Sequence, residues 1–138
     1  MKSMVVTSAG GGFAAQERPL PDPGPGEVRV KVHACGLCHS DRFVQDGLWP
    51  GLAFPRVPGH EVAGVVDAIG PDATSGLAVG DRVLGLTRFG GHAEQVVVPP
   101  GVQNALVALC HRASPLSTIV ATLIRPCAHS FAKLLVNT

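Results

Sequence analysis

The sequence has no tyrosine, one tryptophan and five phenylalanines. That is too few rings for a stacking platform on single-stranded nucleic acid. Charge is scarce too: Asp, Glu, Lys and Arg make up 15% of the chain and nearly cancel, to a net +1. With no basic run, neither DNA nor an anionic membrane is an expected partner. No apolar stretch reaches the roughly 20 residues of a membrane helix, and the opening MKSMVVTSAGGG lacks the hydrophobic segment of a secretory signal. A reducing, cytoplasmic setting is the expectation. There the four cysteines serve as metal ligands or free thiols rather than as disulfides.

What is present points to short strands and many turns. The 138 residues are 46% hydrophobic, with seventeen Gly and twelve Pro, which fits one ordered core and argues against disorder. Met1–Thr7 reads as a strand, Gly10-Gly11-Gly12 as a turn, and Phe13–Arg18 as the returning hairpin partner. A proline-rich connector at 19–26 follows. Val28, Val30, Val32 and Ala34 then alternate with Arg29, Lys31, His33 and Cys35, a period-two strand with one wet face. Ser40–Gln45 suits a short helix with Ser40 or Asp41 near its N-cap and Gly47 after its end. Glu61–Ile69 is an apolar strand bounded by glycines, and Asp81–Leu86 and His92–Val98 are two more. Beyond Gly101 the pattern weakens. Ser114-Pro115 opens an apolar helix over Ser114–Ile124, and Ala128–Val136 is a second helical candidate.

Several residues carry chemistry. Cys38 and His60 each follow a strand-like run, so a thiolate and an imidazole can face one cleft, with the Glu61 carboxylate adjacent. Zinc takes such ligands in tetrahedral geometry. Two ligands without an obvious third leave a competing reading, a buried free thiol and a structural imidazole. Asp41 is placed to hydrogen-bond the far nitrogen of His60 and fix its tautomer. Ser40, beside Cys38, is either a proton relay with His39 as the next station or a helix cap. Cys35 and Cys38 make a C-x-x-C, but no second pair follows at ribbon spacing, and Cys35 reads as a strand residue rather than a ligand. Gly10–Ala15 satisfies G-x-G-x-x-A by letter, yet no long helix follows, so it reads as a hairpin turn. Cys110 and Cys127 compete for a third ligand, each against the reading of a core thiol.

Taken together, PDPGPGEVRVKV, CGLCHSD, PGHEVAGVVDAIG, GLAVGDRVLG and GGHAEQVVVP resemble the zinc-dependent medium-chain alcohol dehydrogenases, specifically their N-terminal GroES-like catalytic domain. The resemblance implies a mainly β, partly open GroES-like barrel over residues 1–100, with a few short helices and a poorly matched helical tail over 101–138. It implies Cys38 and His60 as catalytic zinc ligands and Glu61 as the carboxylate beside the metal. Cys127 would be the third ligand, Ser40 the proton relay, His39 a relay that also approaches the cofactor pyrophosphate, and Asp41 the acid behind His60. The complete enzymes interconvert small alcohols and aldehydes with NAD(P). Two features depart from that pattern. VGDRV runs directly into LGLTRFGGHAEQ without the four-cysteine lobe of many members, and no Rossmann domain is expected within the 138 residues. The expectation is a zinc-binding domain inactive alone. Its alternatives are a non-catalytic zinc-binding or oligomerising module, or a metal-free quinone-reductase-like remnant. Leu116, Ile119, Val120, Leu123 and Ile124 form an apolar tail face expected to drive self-association.

Overall fold

The structure, a computed structural model, describes residues 1–74, 76–99, 107–108 and 135–136. It is mainly β and antiparallel. Strands β1 (Lys2–Val6) and β2 (Phe13–Glu17) pair as the expected hairpin, from Lys2↔Glu17 to Val6↔Phe13. Its loop turns through Gly10, whose φ of 72° is a region glycine enters without a Cβ clash. The loop is tied to the helix α1 (His39–Asp46): Gly10 N–H donates to the Gln45 carbonyl at 2.8 Å, and Gln45 Nε2 donates to the Gly11 carbonyl at 3.0 Å. The glycine run is therefore a hairpin turn.

The larger sheet contains β3 (Val28–Gly36), β4 (Glu61–Ile69), β5 (Arg82–Leu86), β6 (Gln95–Val98), β7 (Val107–Ala108) and β8 (Leu135–Val136). Its order is β6-β3-β4-β5-β7, with β8 also paired to β3. The described sheets stay open, as a partly open barrel requires. Isolated bridges Ser3↔Ala93 and Val6↔Arg56 dock the hairpin onto the loops beside the large sheet. Val28, Val30, Val66, Val83 and Val98 are completely or almost completely buried between these elements. Each such valine contributes about 1.5–3 kcal/mol of burial.

Three expectations need correction. Cys35 does not share the wet face. Val32 pairs with Gly64 and Ala34 with Ala63, so His33 is an extra residue in the ladder. That bulge inverts the strand's phase: Cys35 joins the cluster of Val28 and Val30, while Ala34 packs with Ala63 and Leu84 on the other side. The strand expected to begin at His92 begins at Gln95, because His92 N–H donates out of the ladder, to the Pro58 carbonyl at 3.0 Å. The described end of the expected helix Ala128–Val136 is strand β8, paired as Ala34↔Val136 and Cys35↔Leu135. Since β6 pairs only with Val28–Lys31, the far half of that β3 edge has backbone groups to satisfy, and β8 satisfies some of them. Cys110, Cys127 and the expected Ser114–Ile124 helix lie outside the described residues.

Candidate metal centre

The register of two strands assembles this site. Gly36, the last residue of β3, pairs with Glu61, the first of β4. Cys38 lies two residues beyond one end and His60 one residue before the other, so the ladder brings them side by side. The chain then turns into α1. Its N-cap is Cys38, not Ser40 or Asp41: Cys38 Sγ accepts from Ser40 N–H at 3.2 Å, and Asp41 Oδ2 accepts from Cys38 N–H at 2.9 Å. This reciprocal capping box is an uncommon one, with sulfur in place of a hydroxyl. Gly47, at φ 75°, ends the helix as expected.

His60 sits on a second segment, which is pinned from three sides. His60 carbonyl accepts from Thr87 N–H at 2.7 Å, and Gly59 carbonyl accepts from Gly91 N–H at 2.9 Å. Gly59 N–H donates to Asp41 Oδ1 at 2.8 Å. Only glycine suits position 59: its φ is 89°, and a Cβ there would lie 2.6 Å from His92 N and 2.8 Å from Cys35 Sγ.

Cys38 Sγ lies 3.5 Å from His60 Nδ1 and 3.7 Å from Nε2. Bonds of about 2.3 Å from zinc to sulfur and about 2.0–2.1 Å to nitrogen set the edge of a tetrahedron at about 3.6 Å. The pair therefore has the spacing of two zinc ligands, and its soft sulfur and imidazole nitrogen suit that ion. Ser40 Oγ shares hydrogen bonds with Cys38 Sγ at 2.8 Å and His60 Nδ1 at 3.0 Å. Ligand atoms of Cys38, Asp41 and His60 all lie within 4.8 Å of one another.

Other expected site residues fall in different places. Asp41 is buried, but its carboxylate is engaged by the N–H groups of Cys38 and Gly59 instead of His60. It fastens the two ligand-bearing segments together. Glu61 Oε1 lies 3.6 Å from His60 Nε2, beside the cluster and not in it. His39 is exposed, edge-on to Phe43 with ring centroids 5.0 Å apart.

His92 is a site residue that nothing in the sequence motifs marks. Its side chain is 6% exposed, and Nε2 stands 3.9 Å from Asp41 Oδ2 without a hydrogen-bond partner. Burial pushes this imidazole below its usual 6.5, and His60 acts the same way, against the opposing pull of Asp41 and the Gly36 carbonyl. The only signal was a histidine directly after Gly90-Gly91, where a turn redirects the chain. Cys35, behind the site, is a buried thiol pushed up to about 12 by desolvation, with the Asp41 charge adding to it.

The alcohol dehydrogenase GroES-like domain family matches residues 24–110. Alcohol dehydrogenase patD of Aspergillus clavatus is 52% identical over 111 residues, covering 60% of this chain and 28% of that protein. The synaptic vesicle membrane protein VAT-1 homolog of Homo sapiens is 40% identical over 112 residues, covering 78% of this chain and 28% of that protein. Among the described residues here, no helix is long and apolar enough to cross a membrane. A solved quinone oxidoreductase of Pseudomonas syringae superposes with a TM-score of 0.73 at 34% identity, covering 82% of this chain and 34% of that one. The chain thus spans little more than a quarter of the length of these curated relatives.

Proposed function

The chain belongs to the alcohol dehydrogenase GroES-like domain family, and from that premise we propose that it is the zinc-binding half of an alcohol dehydrogenase-like oxidoreductase. The observation that carries this reading is the 3.5–3.7 Å spacing of Cys38 Sγ from the His60 ring nitrogens. Cys38 and His60 hold the zinc, and Glu61 or Cys127 completes the set. Zinc bound there supplies Lewis-acid polarisation of a substrate alcohol or aldehyde oxygen.

The chain's own residues handle position and protons. Asp41 fixes the distance between the two ligand segments through two backbone hydrogen bonds. Ser40 Oγ, at the edge of the pair, would relay the substrate hydroxyl proton, taking it up as its own hydroxyl proton leaves toward His39. His39, exposed at the helix start, passes it to solvent and offers a contact for the pyrophosphate of NAD(P). The dinucleotide itself needs a binding unit besides this one, because Gly10–Ala15 belongs to a hairpin and not to a strand-to-helix turn. Hydride transfer depends on reactants held at near-attack distance, so the chain alone is expected to oxidise no alcohol.

Elemental analysis of purified chain, with NAD(P)H binding measured on the same sample, tests this. About one zinc per chain is expected from a closed ligand set, lost in Cys38→Ala and in His60→Ala and retained in Cys35→Ala. Zinc-free protein that takes up none on reconstitution sinks the proposal. It would favour instead a metal-free reductase-like domain, the reading supported by the likeness to a quinone oxidoreductase.

A further inference from the structure

Resting on that metal reading, we propose that His92 is a positioning residue of the Cys38–His60 centre: its Nε2–H closes onto Asp41 Oδ2 and locks the carboxylate that holds both ligand segments. Two buried groups with spare hydrogen-bonding capacity face each other here. A carboxylate accepts about four hydrogen bonds, and Asp41 accepts from two donors, Cys38 N–H at 2.9 Å and Gly59 N–H at 2.8 Å. Both side chains are 6% exposed, and the imidazole nitrogen has no partner at 3.9 Å from Oδ2. Hydrogen-bond distance is about 1 Å closer. A neutral imidazole has one N–H, and the Gly36 carbonyl, hydrogen-bonded to the His92 ring, competes with Asp41 for it; the carboxylate is the stronger acceptor.

The backbone already holds His92 to the same task. Its N–H donates to the Pro58 carbonyl at 3.0 Å, its carbonyl accepts from Met4 N–H at 2.8 Å, and neighbouring Gly91 holds the Gly59 carbonyl. His92 thus approaches the Asp41–Gly59 tie from a segment other than α1. Removing such an outer partner of a metal site costs about 10–100-fold in metal affinity. The rival role is packing: the ring lies against Gly59 and is tilted toward Phe13, 6.2 Å between centroids. Phenylalanine keeps that packing and removes the donor, whereas glutamine keeps a donor.

The test is zinc affinity by chelator competition on the full chain, with cobalt absorption spectra as a readout of ligand geometry. His92→Phe should weaken zinc by about 10–100-fold and shift the cobalt bands, while His92→Gln stays within about threefold of the unsubstituted chain. Unchanged affinity and spectrum in His92→Phe overturn the inference, as do equal losses in both variants. On the unsubstituted chain, nitrogen NMR of the imidazole decides the contact without any variant. A slowly exchanging Nε2–H is expected; a bare Nε2 with the proton on Nδ1 overturns it. A chain that binds neither zinc nor cobalt fails the metal reading and this inference together, whereas loss in His92→Phe alone cannot arise unless the metal reading holds.

Discussion

The valine core and the Cys38–His60 end belong to the same two strands, yet they are built by opposite means. Toward the end of β3 and β4 away from the site, Val28, Val30 and Val66 are buried with no directional side-chain bond. At the end of the ladder, a single buried carboxylate reaches two backbone N–H groups, one eighteen residues from it in sequence and the other three. In the core, stability is spread over many interchangeable contacts. At the site it is concentrated in Asp41. A change in the core should therefore cost stability and spare the site, whereas a change at Asp41 should cost both.

The largest effect should come from Asp41→Ala. It leaves two backbone donors without their acceptor and removes the tie between ligand segments, a loss of about 3–5 kcal/mol in urea unfolding together with most zinc affinity. A cost smaller than that of a core valine would break the contrast. Val66→Ala comes next, at about 1.5–3 kcal/mol, with zinc stoichiometry intact. Metal loss there would mean that the core and the site are not separable.

Cys35 lies on the boundary between the two regions and sharpens the contrast through pH. Its thiol is raised in the folded chain from 9.0 to about 12, so the unfolded chain ionises first. The associated stability is complete below pH 9 and lost progressively as pH rises toward 12, on the order of 1 kcal/mol by pH 10. Cys35→Ala should flatten that alkaline slope in urea titrations; an unaltered slope would place the titrating group elsewhere. The smallest effect belongs to Arg42→Ala. The Arg42–Asp46 pair is 2.7 Å long but lies on the open side of α1, so its removal should change the unfolding midpoint by no more than about 0.5 kcal/mol.

The same contrast decides what could be read in the sequence. Core strands announce themselves by their apolar pattern: Glu61–Ile69, an apolar run bounded by glycines, matches β4, and the alternation from Val28 to Val30 marks β3. The Gly10–Gly12 turn and the Gly47 helix end were legible because they are local backbone requirements. The phase inversion at His33 was not, since a bulge depends on which residue the partner strand leaves unopposed. Cys38 was not expected as an N-cap because cysteine is not among the usual capping residues. Cys38 and His60 were picked out by their types and neighbours. Asp41 is legible too, but its partner is not: the tie to Gly59 depends on how an eighteen-residue return brings a backbone N–H to the carboxylate. His92 carried no periodic signal at all. Its burial comes from the fit of Gly59 and Gly91 around Cys35, which exists only once the segments have met.

X-ray absorption at the zinc edge of the metal-loaded chain tests the Cys38–His60 centre most directly. The expected spectrum contains one or two sulfur scatterers at about 2.3 Å and at least one imidazole nitrogen at about 2.0–2.1 Å, and Cys38→Ala carries no zinc to give one. A shell of light oxygen or nitrogen atoms without sulfur, or an unchanged spectrum from zinc-loaded Cys38→Ala, would contradict it.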